Sequence, residues 1–157
     1  MNAYRMKPLA FPWPPLIYAL ALGCAVLLQS HMPLTVAENH VWVERFFGTA
    51  LIATAVMLDV WAMRTLIDCH TTVMPNRCST YLVTSGPYRF TRNPIYLGYT
   101  LAMAGIGLVM LNPWCLVVAI PAALATQFLA VRREELHLLS RFGIDFERYC
   151  HATARWI

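Results

Sequence analysis

The sequence has few charged residues. Asp, Glu, Lys and Arg make up 13% of its 157 residues, whereas hydrophobic residues make up 59%. An average soluble domain carries roughly 25% charged residues, so this chain cannot cover the surface of a soluble domain of its size. Its high apolar content also excludes a disordered chain, because disordered segments contain few apolar residues. The composition therefore indicates a membrane protein.

The sequence also lacks the spacings that mark several other classes of site. Its five cysteines form no Cys-x-x-Cys pair, and its five histidines show no metal-ligand spacing. No glycine-rich Rossmann fingerprint joins a strand pattern to a helix pattern. We therefore expect no metal. We also expect no nucleic-acid partner, because the Arg residues follow the apolar stretches and not a groove-facing pattern. The cysteines are expected to be free thiols or apolar packing residues: Cys24, Cys69, Cys78, Cys115 and Cys150.

Four apolar stretches are what the sequence does contain. They cover about residues 14–30, 46–67, 95–111 and 113–131. A transmembrane helix needs about 20 apolar residues, with a range of roughly 17–25. The predicted fold class is therefore an all-α integral membrane protein with four transmembrane helices, in a single membrane domain over residues 1–157. The last two stretches are joined by a very short link, which predicts a helical hairpin.

The positions of the cations predict the orientation. Eleven of the twelve Lys and Arg residues lie before the first stretch, near the link between the second and third, or after the fourth, and only Arg45 lies between the first and second. The positive-inside rule then places both termini in the cytoplasm, and we expect a bacterial-type inner membrane. The alternative for the first stretch is a signal peptide cleaved near residues 35–37.

Two segments on the predicted cytoplasmic side are rich in polar and aromatic residues. In residues 81–96, Gly86-Pro87 predicts a turn, Pro94 suits the first turn of the third transmembrane helix, and Asn93 is its expected N-cap. In residues 132–157, a charged start leads into a predicted amphipathic helix at the membrane interface. The apolar stripe of that helix is Leu136, Leu139, Phe142, Phe146 and Tyr149.

Asp59 lies near the middle of the second apolar stretch. An acid at membrane depth costs about 2.5–3.5 kcal/mol on insertion scales, so it is expected to have a polar neighbour. We expect Asp59 either to pair with Arg64 or bond to another helix, or to line a substrate cavity together with Arg64. In the third stretch, Gly98, Gly105 and Gly107 predict a small-residue face for close helix packing.

The order of four motifs resembles a known family. These are Gly86-Pro87-Tyr88-Arg89-Phe90, Arg92-x-Pro94-x-Tyr96, Glu134-Glu135, and Phe142-Gly143 followed by aromatic residues. Together they resemble the isoprenylcysteine carboxyl methyltransferase-like group, which is related to the phospholipid N-methyltransferases, over about residues 46–157. The resemblance implies a membrane enzyme that moves a methyl group from S-adenosylmethionine, leaving S-adenosylhomocysteine. The implied acceptor is lipid-like or a small hydrophobic molecule, among membrane lipids.

The acceptor atom stays open in this interpretation. The resemblance favours O-methylation of an isoprenylcysteine-type carboxylate, and its alternatives are N-methylation of a phospholipid amine or S-methylation of a thiol. Asn93 stands where most of the carboxyl methyltransferase branch has histidine, and an asparagine cannot accept a proton near neutral pH.

The resemblance further implies that the cofactor-binding segments are residues 81–96 and 132–157. Arg92 would meet the cofactor carboxylate, and Glu134 or Glu135 would accept hydrogen bonds from its ammonium or ribose. Tyr96 would lie near the methyl donor. The implied catalytic residues are Arg92, Tyr96 and Glu135. The implied cofactor-binding residues are Leu82, Val83, Gly86, Tyr88, Arg92, Asn93, Pro94, Tyr96, Glu134 and Glu135.

Two other classes of function compete with this interpretation. Some sterol reductases have a related C-terminal architecture and bind NADPH, which makes a membrane reductase one alternative. A non-enzymatic four-span membrane protein is the other. Transport is weakly supported, because the sequence shows no inverted repeat and Asp59 is the one convincing acid at membrane depth.

Overall fold

The described part of the chain is almost entirely helical. The structure is a computed structural model that describes residues 13–34, 41–69 and 81–156, so Cys78 and residues 35–37 lie outside it. A single bridge between Thr91 and Ala154 is the one β-type contact between described residues. The helices are α1 (Trp13–His31), α2 (Val41–Asp68), α3 (Pro94–Val109), α4 (Pro113–Thr126), α5 (Arg132–Phe142) and α6 (Ile144–Ala152), with a 3-10 turn at Gly86–Arg89 and a π-turn at Gln127–Val131.

Three helical runs are long and apolar enough to cross a membrane. They are α1, α2 and the continuous run from Pro113 to Phe142, which comprises α4, the π-turn and α5. The apolar helix α3 has only 16 residues, and at about 1.5 Å per residue it spans roughly 24 Å of a hydrocarbon core of about 30 Å. Large side chains on α2 such as Trp42 and Phe46 are exposed, and lipid is the solvent that accepts such a surface. The chain is an integral membrane protein.

The four apolar helices pack in the order α2, α3, α4 and α1. The Tyr18 hydroxyl and the Thr100 Oγ1 lie 2.6 Å apart and join α1 to α3. Asn112 caps α4 by accepting a bond from the Trp114 N–H, and its Nδ2 donates to the Ala25 carbonyl of α1 at 3.1 Å. Only one face of α1 is buried, at steps of four and three residues: Pro14, Tyr18, Ala21 and Ala25.

Glycines allow α2 and α3 to approach each other closely. A Cβ placed on Gly105 would lie 2.7 Å from the Gly48 carbonyl oxygen and 2.7 Å from Ile52 Cγ1. On another face of α3, a Cβ on Gly107 would lie 2.7 Å from Cys115 Cβ of α4. These contacts confirm that the glycines of the third apolar stretch serve close helix packing.

Two local predictions are wrong. Helix α3 begins at Pro94 with Asn93 at the N-cap position, as predicted, but the Asn93 side chain makes no capping bond. Its Nδ2 instead donates to the Arg155 carbonyl at 2.9 Å. The single amphipathic helix predicted after residue 131 is two helices, α5 and α6, which meet at Gly143. The φ angle of Gly143 is +52°, a conformation that only glycine adopts at low cost, and the chain changes direction there.

The close contact at Gly105 predicts a large effect of a single methyl group. We expect Gly105→Ala to lower the stability by about 1–3 kcal/mol, because the new Cβ has no space and two helix backbones must separate. The measurement is thermal unfolding of the purified protein in detergent.

Gly23→Ala is the matched control. A Cβ on Gly23 of α1 meets nothing within 4 Å, so this change should leave the midpoint unchanged or raise it through helix propensity. Equal midpoints for the two variants would contradict the packing described for α2 and α3.

Candidate active site

The loop before α3 is built against the end of α2. Gly86 has a φ of +60°, and a Cβ on it would lie 2.6 Å from the Thr65 Oγ1. The Tyr88 N–H donates to the Ser85 carbonyl at 3.2 Å and starts the 3-10 turn. Pro87 is buried within this turn. Glycine is therefore required at residue 86 both for its backbone conformation and for its contact with α2.

Residues 153–156, which we call the strap, hold this loop from the other side. The Arg92 N–H donates to the Ala154 carbonyl at 3.0 Å. The Arg155 carbonyl accepts from Thr91 Oγ1 at 3.2 Å and from Asn93 Nδ2 at 2.9 Å. Three consecutive loop residues are therefore fixed by the backbone of the strap, and Arg92 has a defined position before α3 begins.

Two aromatic residues extend this connection to the neighbouring helices. The Tyr149 hydroxyl of α6 donates to the Tyr88 carbonyl at 2.7 Å. The Trp156 Nε1 donates to the Gln127 Oε1 at 2.7 Å, and its ring packs against the buried cluster of Tyr96, Ala130 and Val131. The strap therefore joins the loop, α3 and the π-turn into one unit.

Glu135 holds two arginines. Its carboxylate accepts from Arg155 Nε at 2.8 Å and from Arg155 Nη2 at 2.6 Å, one bond on each oxygen. Arg92 Nη2 lies 3.3 Å from Oε1 of the same carboxylate. The side chains of Arg92 and Glu135 are only 12% and 16% exposed, and the hydrogen bonds to Glu135 raise the pKa of Arg155. We call Arg92, Glu135 and Arg155 the charge triad.

Glu134 faces a different neighbour from Glu135. Adjacent residues of a helix point about 100° apart, so the two carboxylates of α5 diverge. The Tyr96 hydroxyl of α3 donates to Glu134 Oε2 at 3.0 Å. Of the three residues expected to be catalytic, the structure thus brings Arg92 and Glu135 into contact, while Tyr96 contacts Glu134.

Tyr88 lies in the electric field of the same acids. Its side chain is half-buried, and burial raises the pKa of its hydroxyl, with a further rise from the charge of Glu134. Tyr88 is therefore a neutral hydrogen-bonding group at physiological pH. The remaining predicted residues line the same loop, where Val83 and Pro94 are buried and Leu82 is half-buried.

Asp59 has no side-chain partner among the described residues. Its Oδ1 is buried without a hydrogen bond, and the part of the chain described contains no ion pair between Asp59 and Arg64, which is exposed. The expected pairing with Arg64 is therefore wrong. The Asp59 carboxylate instead lies directly on Gly98 of α3, where any Cβ would overlap it. A place for Asp59 and Arg64 in a substrate cavity stays a prediction.

A groove with a cavity volume of about 640 Å³ lies between α5 and α6. Leu136, Leu139 and Phe146 line its apolar part, and Arg132, Glu135 and Glu147 line its charged part. This volume falls within the range of roughly 300–1,000 Å³ that is typical of small-molecule sites. Glu135 is the one member of the charge triad that lines this groove, and Arg92, Tyr96 and Glu134 lie outside its lining.

Sequence reasoning missed the contribution of the strap. The sequence indicates Arg155 only as a cytoplasmic cation and Tyr149 only as part of an apolar stripe. In the structure, Tyr149 contacts the loop before α3 and Arg155 contacts Glu135. The one signal that could have marked Arg155 is the scarcity of charge in this chain, because each charged residue is then a candidate for a specific partner. Its pairing with Glu135 is a tertiary contact that no local pattern encodes.

Comparisons with known proteins identify the family of this chain and one curated relative. The sequence model of the phospholipid methyltransferase family matches residues 43–145. The chain is 31% identical to the nickel-cobalt-cadmium resistance protein NccN of Alcaligenes xylosoxydans xylosoxydans over 112 residues, which covers 71% of this chain and 52% of NccN. The chain thus spans about half the length of this curated relative. No solved structure matches the chain.

The bond between Tyr149 and Tyr88 predicts the effect of removing one hydroxyl. In Tyr149→Phe the Tyr88 carbonyl loses its buried donor, which costs about 1–3 kcal/mol. We expect a lower thermal midpoint in detergent and faster tryptic cleavage after the exposed Arg89 in the released loop.

Tyr81→Phe serves as the control, since Tyr81 lies at the start of the same loop and is 61% exposed. It should change neither measurement. Identical cleavage rates for the Tyr149 variant and the wild type would contradict the view that α6 holds the loop.

Proposed function

Because the chain belongs to the phospholipid methyltransferase family, we propose that it is an integral membrane enzyme that transfers a methyl group from S-adenosylmethionine to a lipid-like acceptor. The observation that carries this proposal is the convergence of the loop, α3 and α5. Their contacting side chains are Arg92, Tyr96, Glu134 and Glu135. These are the residues of the motifs that resemble the isoprenylcysteine carboxyl methyltransferase-like group.

The chemistry of these side chains fits the proposed cofactor. The donor has a carboxylate, an ammonium, a sulfonium and ribose hydroxyls. The site contains both a cation, Arg92, and two anions, Glu134 and Glu135. The Arg92 Nε is buried and has no hydrogen-bond partner among the described residues. An arginine with an unused donor suits a carboxylate ligand, because a buried charge is costly unless it is paired.

Each residue then has a separate role in binding. Arg92 binds the cofactor carboxylate, and Glu134 accepts from the ammonium or a ribose hydroxyl. Tyr96 keeps Glu134 in place through its bond of 3.0 Å and presents its ring beside the donor. Leu82 and Val83 provide backbone groups and apolar contact for the adenine. Glu135 makes one contact to Arg92, and Asn93 joins the loop to the strap.

The main task of the protein in this reaction is to align the acceptor atom with the methyl group of the donor. Bound S-adenosylmethionine supplies a methyl group on a positively charged sulfur, so a lone pair of the acceptor forms the new bond while the C–S bond breaks and its electrons stay on sulfur. The site orients the acceptor and excludes water, which favours this transfer over hydrolysis. A carboxylate acceptor needs no base, whereas an amine must first lose a proton.

The acceptor is proposed to enter from the bilayer. The resemblance favours a prenylated cysteine carboxylate, and a phospholipid amine or a thiol is compatible with the same donor site. A radiolabelled-methyl assay on native membranes, followed by separation of lipid, protein and volatile products, identifies the class. Label in protein with a base-labile ester supports the carboxylate acceptor, and label in lipid supports the amine.

The proposed orientation follows from the cations. Arg89, Arg92 and Arg155 belong to the loop and strap, so the donor enters from the cytoplasm, with both termini on that side. Helix α3 is the proposed fourth span, because it is apolar and packs between α2 and α4. A hydrophobic stretch shorter than the bilayer is accommodated by local thinning at a modest cost.

We predict that purified wild-type protein in detergent binds S-adenosylhomocysteine. Glu134→Gln should weaken the binding by roughly 10- to 150-fold, because a charge-assisted bond contributes roughly 1.5–3 kcal/mol. Isothermal titration calorimetry checks both values. Asp68→Asn, an exposed acid at the end of α2, is the control and should bind like the wild type.

A thermal-shift comparison with NADPH separates the competing classes. Stabilisation by S-adenosylhomocysteine alone supports the methyltransferase. Stabilisation by NADPH alone would support the membrane reductase, and no shift with either compound would contradict both enzymes.

A further inference from the structure

The three members of the charge triad are not equivalent. Arg155 occupies both oxygens of Glu135 with bonds of 2.8 and 2.6 Å. Arg92 makes one longer contact of 3.3 Å to the same carboxylate. Two-bond arginine–carboxylate pairs are the stronger geometry, so Arg155 is the main partner of Glu135 and Arg92 is held weakly.

The charge balance of the triad leaves one cation unmatched. Two guanidinium groups face one carboxylate, and guanidinium groups stay protonated in proteins. Because Arg155 is the main partner of Glu135, the unmatched charge is on Arg92. Arg92 is also the more buried of the two arginines, since its side chain is 12% exposed and that of Arg155 is 41% exposed. Arg92 Nε is also buried without a hydrogen-bond partner in the described part of the chain. These two observations indicate an oxyanion ligand for Arg92.

We propose that Arg155 is a positioning residue that keeps Arg92 available for an oxyanion, namely the carboxylate of the bound cofactor. The inference rests on the proposed function and adds a residue to it. By filling both oxygens of Glu135, Arg155 prevents the same carboxylate from capturing Arg92. Without Arg155, Glu135 would take the Arg92 guanidinium in a two-bond pair, and the site would become neutral.

The position of Arg155 does not depend on its side chain. Its carbonyl accepts from Thr91 and Asn93, and the neighbouring Ala154 carbonyl accepts from the Arg92 N–H. The strap should therefore keep its place when the guanidinium is removed. The match to the family model covers residues 43–145 and does not reach this arginine.

Two nucleosides that differ by one carboxylate test the inference. S-adenosylhomocysteine has the carboxylate, and S-adenosyl-3-thiopropylamine keeps the same adenosine, thioether and amine without it. For Arg155→Gln in detergent, we expect binding of S-adenosylhomocysteine to weaken about 10-fold, as for the loss of one charge-assisted contact. Binding of the propylamine should change less than about twofold, and Arg155→Lys should restore part of the difference.

Arg148→Gln is the matched control for the loss of a cation. Arg148 lies on α6 in an exposed pair with Asp145, with both side chains more than three-quarters exposed. This variant should bind both probes like the wild type. A structural role of Arg155 alone would weaken both probes equally and would overturn the inference, as would unchanged binding of both.

A double-mutant cycle tests whether Arg155 acts on Arg92 through Glu135. In a Glu135→Gln background no carboxylate competes for Arg92, so adding Arg155→Gln should no longer change the ratio of the two affinities. An undiminished effect of Arg155→Gln in that background would overturn the role assigned to Glu135.

A lipid phosphate is the other source of an oxyanion at Arg92. Phosphatidylglycerol is therefore added to the detergent micelles in a parallel titration. Competition with S-adenosylhomocysteine that disappears in Arg155→Gln supports the oxyanion site and assigns a second ligand to it, and no competition supports the cofactor carboxylate alone. Failure of the wild type to bind either nucleoside contradicts the proposed function, and the inference with it.

Discussion

The site depends on one carboxylate that joins two distant parts of the chain. Glu135 of α5 contacts Arg92 at the entrance to α3 and Arg155 in the strap. Around this contact, backbone bonds from Ala154 and Arg155 fix three loop residues in succession. The loop, α3, α5 and the strap are therefore positioned together.

The helices beneath this site are held by a different kind of contact. Lipid gives no hydrophobic gain for burying one apolar helix against another, so close packing and a few polar bonds must associate them. Gly48 and Gly105 bring α2 and α3 into backbone contact, and Asn112 bonds α4 to α1. The polar site lies where α3 begins and the apolar run of α4 ends, and its charges are thereby kept out of the helix interfaces.

Much of this arrangement could be predicted from the sequence. The apolar stretches gave the helices, Pro94 gave the start of α3, and the glycines of that stretch gave its packing faces. Those features are encoded by composition and local spacing. The break at Gly143 was missed because the apolar stripe continues across it, from Phe142 to Phe146, and conceals the change of direction.

The sequence selected the residues of the candidate site but not their pairing, and their role in binding a cofactor stays a prediction. The motifs that resemble the methyltransferase group selected Arg92, Tyr96, Glu134 and Glu135, and the structure brings them together in two pairs. The partner of each was not predictable, because Glu134 and Glu135 are adjacent and either could face α3. The roles of Asn93 and Arg155 depend on the strap, which lies about 60 residues further along the chain than the loop that it holds.

Methyl transfer from S-adenosylmethionine is the activity that we propose for this membrane protein. Membranes from cells that express the wild type, incubated with the methyl-tritiated donor, test it most directly against membranes with Glu134→Gln. We expect tritium in a membrane-extractable product for the wild type and a strong decrease for the variant at equal protein level. Equal incorporation in both membranes, no greater than in membranes without the protein, would contradict it.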